Sequence, residues 1–299
     1  MTHEGATFEN AFVSEPVCCP SRATILRGQY PHNHMVRRNF PPLGGFDAFH
    51  NLGREESTLA TWLDNKGGYR TAFIGEKYLN HYNKTYVPPG WDDWYYAATP
   101  HHTLSHNGQI RKYPAGTYVD DLLSGLAQDF VKRQEGKDIP FFIHLSVHAP
   151  HDPLTPTNRY KDLYEGEQVP RTPSFNEEDV SDKPRWVGHR PPLSSSDKAW
   201  VDNHYRDRLR TIASIGEMVE KLVGALKDAN KLNNTYIVFT SDNGYFQGQH
   251  RLDHGKGGAY EESINVPLMI RGPDVPAGVK RDELVLNNDF APPSPSGRV

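Results

Sequence analysis

An α/β fold is what this sequence predicts, and two observations carry the prediction. Strand-like and helix-like stretches alternate along the 299 residues, with no internal repeat. Polar residues able to do chemistry fall just after the strand-like stretches, where open α/β sheets place their sites. The length suits one large domain, residues 1–290, with 291–299 (APPSPSGRV) as a turn-prone, disordered tail.

The elements follow in order. Residues 6–13, ATFENAFV, alternate polar and apolar and predict a strand. PSRATILRG predicts a short helix, with Pro20 allowed in its first turn and Gly28 as terminator. STLATWLDNKG predicts a helix capped by Ser57, with Leu59, Trp62 and Leu63 on one face and Gly67 or Gly68 at its end. YRTAFIGEK reads as a buried strand. Residues 119–132 predict an amphipathic helix with Leu122, Leu126 and Phe130 on its apolar side. PFFIHLSVHAPH opens with a strongly apolar strand. Residues 165–200, rich in Pro, Ser and charge, predict a long surface loop. A long helix is expected over 202–230, with Leu209, Ile212, Met218, Val219 and Leu222 inward. TYIVFTSDNG and VPLMIRGP complete the strands.

Composition narrows the function classes. A formal net charge of −4 predicts no nucleic-acid or membrane surface. No apolar run approaches the length of a membrane span, and no basic-then-apolar leader stands in the first residues. The sequons Asn83-Lys84-Thr85 and Asn233-Asn234-Thr235 hint at secretion.

The two cysteines of the chain, Cys18 and Cys19, are adjacent. Neighbouring Cα atoms lie about 3.8 Å apart, below the disulfide range. No second Cys pair exists to complete a four-cysteine zinc site. Inert core thiols and reactive ones both remain open at this point.

Four strand ends gather the candidates. Cys18 and Arg22 follow the first strand, Lys77 the second, His148 and His151 the third, Asp242 and Asn243 the fourth; His250 and Lys256 lie beyond. Singly, each has a bland reading: a DNG turn, loop histidines beside prolines, solvated lysines. Together they resemble a site. A helix N-terminus at Cys18 favours an anion, and Arg22 adds fixed positive charge. Asp242 and Asn243 are hard oxygen donors suited to calcium or magnesium. Lysines and histidines can bind a tetrahedral oxyanion and move protons. The chemistry points to hydrolysis of a sulfate or phosphate ester.

Cys18-Cys19-Pro20-Ser21-Arg22 with Leu26-Arg27-Gly28 resembles the C-x-P-S-R…L-x-G signature of the type I sulfatases. GEKYLNHYNKTYVPPGWDDWYY, HAPHDP and TSDNGYFQGQHRLDHGKGG resemble further segments of that family, most of all in N-acetylglucosamine-6-sulfatases and arylsulfatases. The resemblance implies an alkaline-phosphatase-like core, a mostly parallel central sheet flanked by helices. It implies that Cys18 is converted to formylglycine by the formylglycine-generating enzyme, with Cys19 packing. It implies calcium held by Asp242, Asn243 and residue 18. Lys77, Lys256 and His250 would face the sulfate, His151 and His148 would move protons, and Arg22 would hold the site. The substrate would be a sulfated small molecule or glycan, and the location secreted or lysosomal. The family begins with a strand ending in Asp-Asp that supplies calcium ligands. No such pair precedes Cys18 here, so the expectation is an incomplete domain lacking its first strand and C-terminal subdomain. The alternatives carried are an inactive sulfatase-like protein and a phospho- or phosphonate-ester hydrolase.

Overall fold

The computed structural model describes residues 1–80, 83–98 and 103–291. Its strands are β1 (Ala6–Phe8), β2 (Ala11–Phe12), β3 (Arg70–Glu76), β4 (Asp93–Ala98), β5 (Thr103–His106), β6 (Gln109–Lys112), β7 (Phe141–Ser146), β8 (Ile237–Thr240), β9 (Leu268–Arg271), β10 (Val279–Arg281) and β11 (Val285–Leu286). Its helices are α1 (Cys18–Arg27), α2 (Pro31–His34), α3 (Gly45–Asn51), α4 (Leu59–Asn65), α5 (Val119–Lys132), α6 (Arg185–Gly188), α7 (Ser195–Asp228) and α8 (Glu261–Ile264).

One sheet has the order β6-β5-β4-β3-β7 and a second the order β10-β1-β9-β8, with β11 and β2 as a separate pair. The β4-β3-β7 core is parallel, with Ile74 opposite Tyr95 on one side and Leu145 on the other. This central strand is buried on both faces, which is why it reads as an unbroken apolar run. Phe73 points to one face, into a layer of Trp91, Trp94, Tyr78, Phe49, Leu26 and Cys19. Ala72 and Ile74 point to the other, against Leu123, Ala127 and Phe130 of α5. Helix α5 thus turns Leu123, Ala127 and Phe130 fully inward, while the expected Leu122 and Leu126 flank that stripe.

Several expectations need correction. The stretch 6–13 is two strands in different ladders: β1 lies between β9 and β10, whereas β2 pairs with β11. The cap of α4 is Thr58, not Ser57; its hydroxyl accepts the Thr61 amide while the Thr61 hydroxyl accepts the Thr58 amide. The loop 165–200 contains α6, and α7 begins at Ser195, capped by the reciprocal Ser194–Asp197 pair, rather than at 202. Between Asp202 and Ser214, α7 buries Asp202, Arg208, Thr211 and Ser214, so Ile212 points outward. Polar partners under the helix break the apolar period the sequence was read by. Residues 93–98, 103–106 and 109–112, to which the sequence reading assigned no element, form β4, β5 and β6.

Strands β7 and β8 are the outer strands of their sheets among the described residues, and β7 is half-buried throughout. Phe141, Ile143 and Ile237 from these two strands share one cluster with Ala225 and Leu226 of α7. The expected tail 291–299 lies outside the described residues except for Ala291, which is buried.

Candidate active site

Helix α1 begins at Cys18 itself. Val17 is extended and offers no side-chain cap. The Asn39 side chain supplies the missing acceptor, taking the Cys19 amide at 2.9 Å. Cys19, Ala23 and Leu26 pack into the aromatic core, so one face of α1 is anchored. Gly28 ends the helix with φ +61°, and its amide donates to Thr24 at 2.8 Å. Parallel pairing of β3 and β7 brings their carboxyl ends to the same side, with Gly75 opposite Ser146. Glu76, Lys77, His148 and His151 follow from those ends.

The Sγ atom of Cys18 lies 3.0 Å from Nζ of Lys256, which also donates to Oδ1 of Asn243 at 3.0 Å. Gly255 and Gly257 flank Lys256 with φ +110° and +100°, conformations that favour glycine. Nε of Arg22 donates to Oδ2 of Asp242 at 2.6 Å, and its Nη1 donates to the Lys77 carbonyl. Nδ1 of His151 meets the Asp152 carbonyl at 2.6 Å. A carbonyl only accepts, so Nδ1 carries the proton and Nε2 is left for other work.

These groups set the ionisation of the site. Burial pushes the Cys18 thiol up, yet the hydrogen bond with His151 and the charges of Arg22 and Lys256 outweigh burial and Asp242, holding it at about 7. Cys19, one residue on, is pushed up to about 12 by burial. The neighbours therefore part company: the Cys18 thiol is held low by His151, Arg22 and Lys256, while Cys19 packs into the aromatic core. Burial also pushes the Asp242 carboxyl up, but Arg22 and then Lys256 hold it below the usual carboxylate range.

The structure brings Cys18, Arg22, Asp242, Asn243, Lys256 and His151 together. Lys77 contributes its carbonyl to Arg22 and stands at φ +51° at the end of β3. His148 sits one layer back. Its Nδ1 is 3.1 Å from buried Glu76, its amide donates to Asp120 at 3.1 Å, and its ring lies 5.7 Å from that of His151. His250 is turned elsewhere: Nδ1 meets Glu177 at 2.6 Å, Nε2 meets Glu262 at 3.2 Å, and Tyr260 stacks on it at 4.2 Å.

Sequence reading missed the supports. Asp152 receives His204 at 2.7 Å, Tyr245 at 3.0 Å and Arg208 at 3.3 Å, and thereby fixes the residue beside His151. The HDP run held Asp152 in view; nothing local marked His204, Tyr245 or Arg208. Glu76 was visible only as an acidic residue between Gly75 and Lys77.

The donors present do not by themselves fit calcium. Asp242 and Asn243 supply hard oxygens, but six to eight ligands are usual. Asp242 is bridged to Arg22, and Asn243 to Lys256. Among the described residues no cluster of three or more His, Cys, Asp or Glu could hold a metal. A group derived from Cys18 fits better: the side chain is buried at a helix start within reach of a cation and an imidazole.

Comparison with known proteins shows the family of the chain. The family model described as Sulfatase matches residues 1–293. The N-acetylglucosamine-6-sulfatase of Capra hircus is 37% identical over 303 residues, covering 96% of this chain and 54% of the relative. The extracellular sulfatase SULF-1 homolog of Drosophila melanogaster is 36% identical over 303 residues, covering 96% of this chain and 26% of the relative. A solved structure in complex with its substrate D-glucosamine-2-N,6-O-disulfate superposes with a TM-score of 0.79 at 22% identity, covering 97% of this chain and 69% of that one. That last likeness speaks for the fold, and it agrees with the sheet-and-helix layers described above. The chain spans about half the length of the first curated relatives it matches. Matched by the family model over residues 1–293 and by relatives above 30% identity over 96% of its length, the chain belongs to the sulfatase family.

Proposed function

We propose that this chain hydrolyses sulfate esters at residue 18. The observation that carries the reading is the placement of Lys256 Nζ 3.0 Å from both Cys18 Sγ and Asn243 Oδ1. A cation there neutralises negative charge that grows on sulfate oxygens during attack at the residue-18 position. Formylglycine made from Cys18 by its generating enzyme would supply the hydroxyl nucleophile that a thiol lacks.

The remaining roles belong to side chains in place. His151, with Nδ1 donating to Asp152, keeps Nε2 for taking or giving a proton at residue 18 or at the leaving alcohol. Asp152 holds that orientation through His204, Tyr245 and Arg208. Arg22 fixes Asp242 and the Lys77 carbonyl, and the Lys77 ammonium would face the sulfate. His148, paired with Glu76, backs His151. His250, occupied by two carboxylates, shapes the loop that leads to Lys256. The substrate is a sulfated small molecule or glycan. A secretory route agrees with the extracellular relative and with Asn83 and Asn233, both exposed sequon asparagines.

The test is sulfate release from an aryl sulfate by chain co-produced with the formylglycine-generating enzyme. Release that vanishes in Cys18→Ala supports the reading. A preference for the matching aryl phosphate, or no release from fully converted protein, overturns it.

A further inference from the structure

Two successive residues of the loop that carries Lys256 stand in the left-handed region without being glycine. His250 has φ +54° and Arg251 φ +61°, a conformation that such residues keep only where their surroundings hold it. Both side chains reach back to the segment 174–190. Arg251 donates to the carbonyls of Glu177 at 3.0 Å, Arg190 at 2.8 Å and Glu178. Buried His250 meets Glu177 Oε1 through Nδ1 at 2.6 Å and Glu262 Oε2 through Nε2 at 3.2 Å, and its amide donates to the Ser174 carbonyl at 2.7 Å.

The proton count of that ring follows from its partners. An ionised carboxylate only accepts, so a ring bonded to two carboxylates donates from both nitrogens and is an imidazolium. A neutral ring keeps one N–H. The shorter contact assigns it to Nδ1 and Glu177, which leaves the Nε2 lone pair facing a Glu262 oxygen. The other groups around the ring are Lys183, 3.5 Å from Glu177 and 2.7 Å from Asp182, and the rings of Tyr260 at 4.2 Å and Phe246 at 6.3 Å. Glu262 takes the Ser174 hydroxyl on its second oxygen at 2.8 Å. Beside it in α8, buried Ser263 accepts the Gly244 amide on its carbonyl at 2.8 Å and the Gly257 amide on its hydroxyl at 3.1 Å. Gly244 follows Asn243 and Gly257 follows Lys256, so the Glu262 arm of the ring ends one residue from the group that holds both.

We propose that His250 is a positioning residue for Lys256: as an imidazolium bonded to Glu177 and Glu262 it ties the segment 174–178 to α8 and sets the loop that carries Lys256, and loss of its proton slackens that loop. The clamp is complete on the acid side of the imidazole titration and loses its Glu262 arm as pH rises. This rests on the hydrolytic reading above only for what Lys256 does to a substrate; the clamp itself is read without turnover.

The experiment follows the full chain, labelled with nitrogen-15 histidine, from about pH 5 to 9. Long-range proton–nitrogen spectra read the His250 ring, and hydrogen exchange, corrected for its intrinsic pH dependence, reads peptides covering 172–178 and 246–258. The ring is expected to carry protons on both nitrogens at the acid end and on Nδ1 alone at the other. Protection of both peptides should fall about tenfold over the same transition, the loss of one charge-assisted hydrogen bond. Glu262→Gln separates this from a merely structural contact. Its carboxamide nitrogen can donate to a bare Nε2 while its oxygen still accepts the Ser174 hydroxyl, so protection should persist at high pH and lose its pH dependence. Glu262→Ala and His250→Phe should show the low protection at every pH, with melting curves that confirm a folded chain. A His250 ring whose protonation does not change, parent protection that ignores pH, or a Glu262→Gln profile matching the parent's would each overturn the proposal. In converted enzyme, sulfate release should fall along the parent's transition and hold in Glu262→Gln. The same exchange transition without sulfate release from any ester would leave the clamp standing and sink the hydrolytic reading.

Discussion

Nζ of Lys256 donates to Sγ of Cys18 at 3.0 Å across 238 residues of sequence. A loop between two glycines and the first turn of a helix thus make one electrostatic unit. That unit, with His151, keeps the thiol near neutrality despite its burial.

Unconverted chain therefore alkylates with iodoacetamide at Cys18 with a midpoint near pH 7, while Cys19, pushed up to about 12, stays silent. His151→Ala should slow alkylation at pH 7 by about tenfold and Lys256→Met by less, because the His151 hydrogen bond is the stronger of the two lowering influences. Rates against pH, read by peptide mass spectrometry, check this. A midpoint above pH 9 in the parent chain counts against the geometry.

Asp242 carries an acid limb of stability. Its folded pKa lies below its unfolded value, because Arg22 and Lys256 outweigh burial. Its contribution is present above about pH 4 and is lost as pH falls through and below the folded value. Asp242→Asn should flatten that limb of the melting temperature. Arg22→Leu, which takes the hydrogen-bonded cation from a half-buried carboxylate that keeps only Lys256, should cost about 1–3 kcal/mol at pH 7. Melting curves from pH 3 to 7 decide both; an unchanged acid limb in Asp242→Asn would sink the assignment.

Thr58→Ala removes half of a capping box at the start of α4. The expected loss is about 1 kcal/mol in urea unfolding. Ser57→Ala, at the position the sequence favoured, should cost less, since its hydroxyl only accepts the Trp62 indole at 3.0 Å. Equal costs would refute the cap.

Gly28→Ala tests the end of the Cys18 helix. At φ +61° a Cβ would stand 1.8 Å from the Ala291 carbonyl oxygen. The substitution should destabilise by more than about 1 kcal/mol, adding a clash to the left-handed penalty. Gly53→Ala, with φ +63° and nothing within 4 Å, should show the conformational penalty alone. Comparable thermal shifts for the two would remove the clash from the account.

The sequence by itself determined the α/β class, the α1 helix with its Gly28 end, the β3 strand, and the residue types at the strand ends. Those signals are local: period, caps and breakers act within one turn or one strand. It also separated Cys18 from Cys19 through the C-x-P-S-R resemblance, and burial and charge divide the two in the same way. Only the tertiary structure decided which candidates meet. His250 and Lys256 are six residues apart, yet one faces Glu177 and Glu262 and the other Cys18, because the chain turns at Gly255 just before Lys256. The split of residues 6–13 between two ladders, the outward turn of Ile212 and the Asp152–His204–Tyr245–Arg208 brace were likewise invisible. Each depends on partners brought from far along the chain, and a pattern confined to one segment carries no record of what will pack against it.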